Sequence, residues 1–342
     1  MSTRFQDISE DELNNLLENR DSLSTKNVIK GSVAILRTFC GEKNFDFPTE
    51  ECSNEELNSL LSKFYPSARR SDGELYSKKS MLSIRYGLQK HFEKSNGVDI
   101  VNLQDFAGAN RIFTAVLVKL KKEGKAKEIH KDALTRNDLQ KLYNSLDTGT
   151  PQGLQDKVFV DFIIFFCNRG RENLREIKKS DFIFDENGQF IEMRDMITKN
   201  HKGDMQDGTS QGGRIYKTGT DLCPYTSFMK YLSLLNPENE VLFQRPKSDP
   251  KHGEPWYDNC PLGKNTLGNK MKKLSEKAHL SKTYTNHCLR ATSITLLDGF
   301  EARHVMTISG HKSESSIRSY ARTGEDQKKK MAITLAEAVS GN

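Results

Sequence analysis

The sequence lacks a long apolar run. Its longest, from Phe159 to Cys167, is interrupted by Asp161 and falls well short of the roughly 20 apolar residues that a membrane-spanning helix needs. The start, Met1-Ser2-Thr3-Arg4, carries no apolar signal core, so neither export nor a membrane partner is expected. Cysteine is sparse and scattered. Cys40, Cys52, Cys167, Cys223, Cys260 and Cys288 form no C-x-x-C pair, and no His-x-His cluster accompanies them. Neither a zinc site nor a disulfide framework is suggested, and reduced structural thiols on the cytosolic or nuclear side are expected. A G-x-x-x-x-G-K-[ST] phosphate loop is also missing, so no ATP-driven step is implied. No metal and no cofactor is expected.

What is present is a 342-residue chain, 35% hydrophobic and 29% charged, long enough for two domains with separate cores. Charge is unevenly spread. Residues 1–60 hold 6 basic and 12 acidic side chains, whereas residues 61–134 hold 15 and 8, and a basic middle suits contact with phosphate backbones. The first third reads as amphipathic helices. Ser9 with Glu12, and Ser53 with Glu56, have capping-box spacing. The residues that follow them, Leu13, Leu16 and Leu17 in one case and Leu57, Leu60, Leu61 and Phe64 in the other, recur at three and four. Both helices are expected to pack by those faces. A helix over Lys78 to Phe92 turns Leu82, Leu88 and Phe92 inward and leaves Lys78, Lys79, Arg85 and Lys90 for solvent or DNA phosphates.

The charged stretch from Lys119 to Asp132, with Gly124 at its centre, reads as an interdomain linker. Beyond it come a capped helix opened by Thr135 and Asp138 and an apolar helix from Leu154 to Cys167. A hairpin follows, turning at Asn187-Gly188. A glycine-rich loop then separates Ile197 from a short strand around Arg214 to Lys217. Helices resume at Leu267 and end in a lysine-rich tail near Gln327 to Val339. The fold class expected is mainly α with a small antiparallel sheet: a helical domain over residues 1–130, a mixed α+β domain over 134–325, and a tail helix over 326–342.

Metal-free phosphodiester cleavage needs an in-line nucleophile, cationic donors on the non-bridging oxygens, and a proton for the departing hydroxyl. The segment NHCLRATSITLL sets His287 and Arg290 three apart at a helix start, on one side of the same turn. Arg290 has the planar fork that grips two phosphate oxygens. Twenty-one residues later comes Gly310-His311, with Tyr320 nine positions beyond His311. Each residue alone is unremarkable. Their fixed order is not.

H-C-L-R, then G-H, then Tyr at plus nine resembles the C-terminal signature of tyrosine recombinases and phage-type integrases. The phrases YTNHCLRAT, ISGHKSESSIRSYART, TKNHKG, GGRIY and LNPENEVLFQRP further resemble the recombinases of Crypton elements, eukaryotic DNA transposons, over roughly residues 78–325. The resemblance implies a helical core-binding domain and a catalytic domain that clamp double-stranded DNA, with Tyr320 as the nucleophile. It also implies a first arginine, matched by Arg169 in CNRGRENLREI with Arg171 as the competitor, and a hairpin lysine that protonates the leaving oxygen, matched by Lys199 with Lys202 as the competitor. Further implications are a tetramer joining two duplexes, a tail that docks in cis or on a neighbouring subunit, and residence in the nucleus. The alternatives are a type IB topoisomerase and a domesticated DNA-binding protein without catalysis.

Overall fold

The computed structural model describes residues 6–126, 131–170, 173–194, 212–318, 320 and 325–340. Contacts divide the chain into two units, Met1–Ile129 and His130–Asn342.

The first unit is helical: α1 (Glu10–Asn19), α2 (Leu23–Lys43), α3 (Asn54–Ser67), α4 (Lys78–Asn96) and α5 (Ala107–Lys122). Both capping boxes form, with Ser9 and Ser53 accepting from the backbone amides of Glu12 and Glu56. Their fates then differ. Leu57, Leu61 and Phe64 of α3 enter a core with Leu36, Leu88, Phe92 and Phe113. Leu13, Leu16 and Leu17 of α1 stay exposed. The expectation that both faces pack is therefore corrected for α1: capping and spacing are local signals, and burial also requires an opposing surface. Leu61→Ala is expected to cost about 2–5 kcal/mol, whereas Leu16→Ser should leave denaturant unfolding unchanged, because Leu61 is 0% exposed and Leu16 66%.

The expected linker also begins later than read. α5 runs to Lys122 with Leu120 buried, so Lys119, Lys121 and Lys122 are the outer face of a helix end. Gly124 (φ +72°) closes it, and the Lys125 amide returns to the Leu120 carbonyl.

The second unit is built on α7 (Pro151–Phe165), which is buried along most of its length. Such a helix can carry polar side chains only if they are paired. Lys157 meets Asp161 at 2.6 Å, and the Tyr143 hydroxyl of α6 (Arg136–Asn144) donates to the same carboxylate. Asp156 meets Lys270 of α10 (Lys270–Lys277) at 2.6 Å. Strands β1 (Phe182–Phe184), β2 (Phe190–Met193) and β3 (Arg214–Tyr216) form one antiparallel sheet in the order β1-β2-β3. Ile191 pairs with Ile215 on its buried face. Gly188 takes the left-handed conformation (φ +64°) that the turn requires.

After α8 (Pro224–Leu234), a second antiparallel pair, β4 (Gln244–Pro246) and β5 (Tyr257–Pro261), was not anticipated. α9 (Lys264–Gly268), α10, α11 (Asn286–Leu296), α12 (Ala302–Ser309), α13 (Glu314–Arg318) and α14 (Glu325–Ser340) complete the chain. The molecule is mainly α with small antiparallel sheets. No helix among the described residues is long and apolar enough to cross a membrane.

Candidate active site

Three chain segments of the second unit converge: the stretch leaving α7, the first turn of α11, and the turn that closes α12. Their attachment is specific. Asn286, 1% exposed, donates from Nδ2 to the Gly170 carbonyl at 2.6 Å and to the Leu267 carbonyl at 2.8 Å. Its Oδ1 accepts from the Met271 amide at 3.0 Å. A Cβ on Gly170 would stand 2.3 Å from that of Asn286, so the approach between the segment after α7 and the start of α11 admits only glycine. Asn286 was not singled out in the sequence, because its three partners are distant along the chain. Gly170→Ala should lower stability by about 1–3 kcal/mol through overpacking, read as a lower denaturant midpoint.

Arg290 sits in this seam at 3% exposure. Its Nη1 donates to the Cys167 carbonyl and its Nη2 to the Ser309 carbonyl. One guanidinium thus fastens the end of α7 to the end of α12. Burial and then repulsion from Arg169 press its pKa down, while the Tyr320 hydroxyl pulls it up; a guanidinium keeps its charge regardless. Cys167 is itself left-handed (φ +47°). Glycine is favoured in that conformation. Arg169 is half-buried, and its charge is felt by both Arg290 and His311.

α12 ends at Gly310 (φ +64°), whose amide returns to the Met306 carbonyl. The turn delivers His311, with Nδ1 at 2.8 Å from Ser309 Oγ and 3.4 Å from Arg290 Nη2. Burial, then the charges of Arg290, Arg169 and His287, hold the His311 pKa down to about 4. In this state the ring is neutral at physiological pH. Tyr320 packs against Ile294, Val305 and Ile317 and brings its hydroxyl to 3.3 Å from His287 Nε2. The His311 ring crosses the Tyr320 ring edge-on, with centroids 5.7 Å apart.

Of the residues read from sequence, His287, Arg290, His311 and Tyr320 come together, with Arg169 beside them. Lys199, Lys202 and Arg171 lie outside the described residues, as does Ile197. In the first unit Lys78 and Lys79 are exposed. Arg85 is turned inward: it donates to Asn110 Oδ1 at 2.6 Å and lies 4.6 Å over the Phe113 ring. The cause is helical period, since Arg85 follows Met81 by four and precedes Leu88 by three, both buried. Lys90 pairs with Asp21 at 3.4 Å. Among the described residues no group of three or more His, Cys, Asp or Glu is placed to hold a metal.

Solved structures of integrases are similar in fold. The Tn1549 transposon integrase in complex with transposon right end DNA aligns with a TM-score of 0.55 at 15% identity, over 92% of this chain and 95% of that one. A lambda integrase dimer bound to a core site gives 0.52 at 15% identity, over 92% and 94%. A lambda integrase tetramer bound to a Holliday junction gives 0.51 at 17% identity, over 92% and 78%. The phage integrase family matches residues 132–326, and the chain belongs to that family. No curated protein matches it in sequence.

Proposed function

We propose that this protein is a site-specific DNA recombinase that cuts and rejoins double-stranded DNA through a 3′-phosphotyrosine at Tyr320. The observation that carries the reading is the Tyr320 hydroxyl 3.3 Å from His287 Nε2, beside a buried arginine and a second histidine. In that reading His287 accepts the phenolic proton as the tyrosine oxygen attacks phosphorus. The P–O5′ bond breaks, and Lys199, with Lys202 as the competitor, supplies the proton that leaves with the 5′ hydroxyl. Arg169 and Arg290 match the charge that develops on the non-bridging oxygens, and His311 contacts one of them. One phosphodiester replaces another, so religation needs no external energy source.

Family membership supports cleavage and rejoining. The similar integrases are described with DNA, as dimers and as a tetramer on a Holliday junction, which supports DNA binding and assembly into a tetramer. Residues 1–130 then serve as the core-binding domain, with Lys78 and Lys79 as phosphate contacts, and residues 134–325 as the catalytic domain. The phrases around His287, His311 and Tyr320 favour a Crypton-type transposon enzyme acting in the nucleus. α14, with Met331, Leu335 and Val339 exposed, is the segment available to dock on a neighbouring subunit.

The test uses duplex carrying a candidate element end, nicked near the cleavage point so that the short 5′-hydroxyl fragment diffuses away. A denaturant-resistant protein–DNA band is expected from the wild type. Its absence on every element end tried counts against the reading. Binding to the same duplex should weaken steeply with added salt, as phosphate contacts release counterions.

A further inference from the structure

The Ser309 hydroxyl has one proton and two close partners. Its Oγ donates to the Val305 carbonyl at 2.5 Å and lies 2.8 Å from His311 Nδ1. Two oxygens that close must have the hydroxyl proton between them, since otherwise two lone pairs would face each other. The proton is therefore spent on Val305. What Oγ offers the imidazole is a lone pair, and Nδ1 must bring the hydrogen. Arg290 Nη2, also an obligate donor, stands further off at 3.4 Å and already gives a hydrogen to the Ser309 carbonyl. The nearer contact decides the tautomer.

We infer that Ser309 is a positioning residue that holds the Nδ1–H tautomer of His311, so that the ring donates to a phosphate through Nε2 only as an imidazolium. This rests on the proposed phosphate site. Neutral His311 carries a bare Nε2, and an anionic oxygen cannot accept from it. Adding one proton gives both nitrogens a hydrogen: Nδ1–H stays on Ser309 and Nε2–H becomes available to the phosphate.

The surroundings make that proton conditional. His311 is faced by Arg290 and His287 from α11, by Arg169 from the segment after α7, and by the Tyr320 ring from the segment after α13. Without DNA burial and then the cationic neighbours oppose protonation, with the pKa held down to about 4. A phosphate between Arg169, Arg290 and His311 adds negative charge and raises it. Because the DNA-bound value is the higher, the His311 contact is present at low pH and is lost as pH rises through that bound value. Proton uptake thereby accompanies phosphate binding, and the His311 donor forms only on a loaded site.

The test reads the tautomer directly. In the full-length protein with ¹⁵N-labelled histidine and no DNA, long-range ¹H–¹⁵N correlation at neutral pH should show His311 protonated at Nδ1. Ser309→Ala should release it toward Nε2–H, and Ser309→Thr, which keeps the hydroxyl, should restore the wild-type pattern. On the nicked duplex, Ser309→Ala should move the alkaline limb of covalent-adduct formation to higher pH or remove it, because a neutral ring carrying Nε2–H can donate to the phosphate without taking up a proton. Nε2–H in the wild type, or a tautomer and alkaline limb that Ser309→Ala leaves unmoved, overturns the assignment. If the wild type forms no adduct, the recombinase reading falls, while the DNA-free tautomer measurement still decides the role of Ser309.

Discussion

Tyr320→Phe is expected to abolish the denaturant-resistant adduct completely while leaving binding to the nicked duplex and thermal unfolding close to wild type. The substitution removes one oxygen. The ring stays packed on Ile294, Val305 and Ile317; the hydroxyl's 3.3 Å approach to exposed His287 and its pull on Arg290, which keeps its two carbonyl partners, contribute little to folding. Chemistry and stability are therefore separable at this position. Adduct formation by the phenylalanine variant would mean that another nucleophile is at work.

Arg290→Ala should behave in the opposite manner, losing both. Its guanidinium serves the carbonyls of Cys167 and Ser309 inside a closed seam. Removing it leaves each buried acceptor without that donor, at about 1–3 kcal/mol apiece, and takes away a charge worth about 10²–10³-fold in rate where it faces a transition state. Arg290→Lys should restore little, since a single ammonium cannot reproduce the fork that spans two carbonyls and still meet a phosphate. His287→Ala is the contrasting variant. His287 is exposed, so its loss should spare the unfolding midpoint and lower single-turnover adduct formation by about 10²–10⁴-fold as a proton acceptor. If Arg290→Ala unfolds at the wild-type midpoint, the seam described around it is wrong.

The sequence disclosed what repeats locally. The quartet of His287, Arg290, His311 and Tyr320 is legible because two short spacings and one order define it, and the structure brings the four side chains together. The capped helices and the Asn187-Gly188 hairpin are legible for the same reason: each is set by residues within a few positions. Contacts between distant positions are not. Asn286 closes on Gly170 across 116 residues, and neither residue's type announces the other. Ser309 reads as the last residue of a helix until its hydroxyl is seen against His311. β4 and β5, only three and five residues long with prolines at 246 and 261, carry no alternating β-branched run to mark them.

Two misreadings share a physical origin. Leu13, Leu16 and Leu17 were expected inside because they fall on one helical face, and Arg85 was expected outside because it is charged. The period of α4 places Arg85 among buried neighbours, where its guanidinium lies over the Phe113 ring. α1 has the period, but among the described residues no surface covers Leu13, Leu16 and Leu17. In both cases the pattern fixed which residues share a face, while tertiary packing fixed which face was covered.

Whether Tyr320 joins DNA covalently through a 3′ phosphate is read by digesting the trapped adduct with nuclease and protease and sequencing the nucleotide-bearing peptide by mass spectrometry. The expected result is a single modified residue, Tyr320, carrying a nucleotide through its 3′ phosphate with a free 5′ hydroxyl on the released strand. Attachment at any other residue, or a 5′-linked nucleotide, would contradict it.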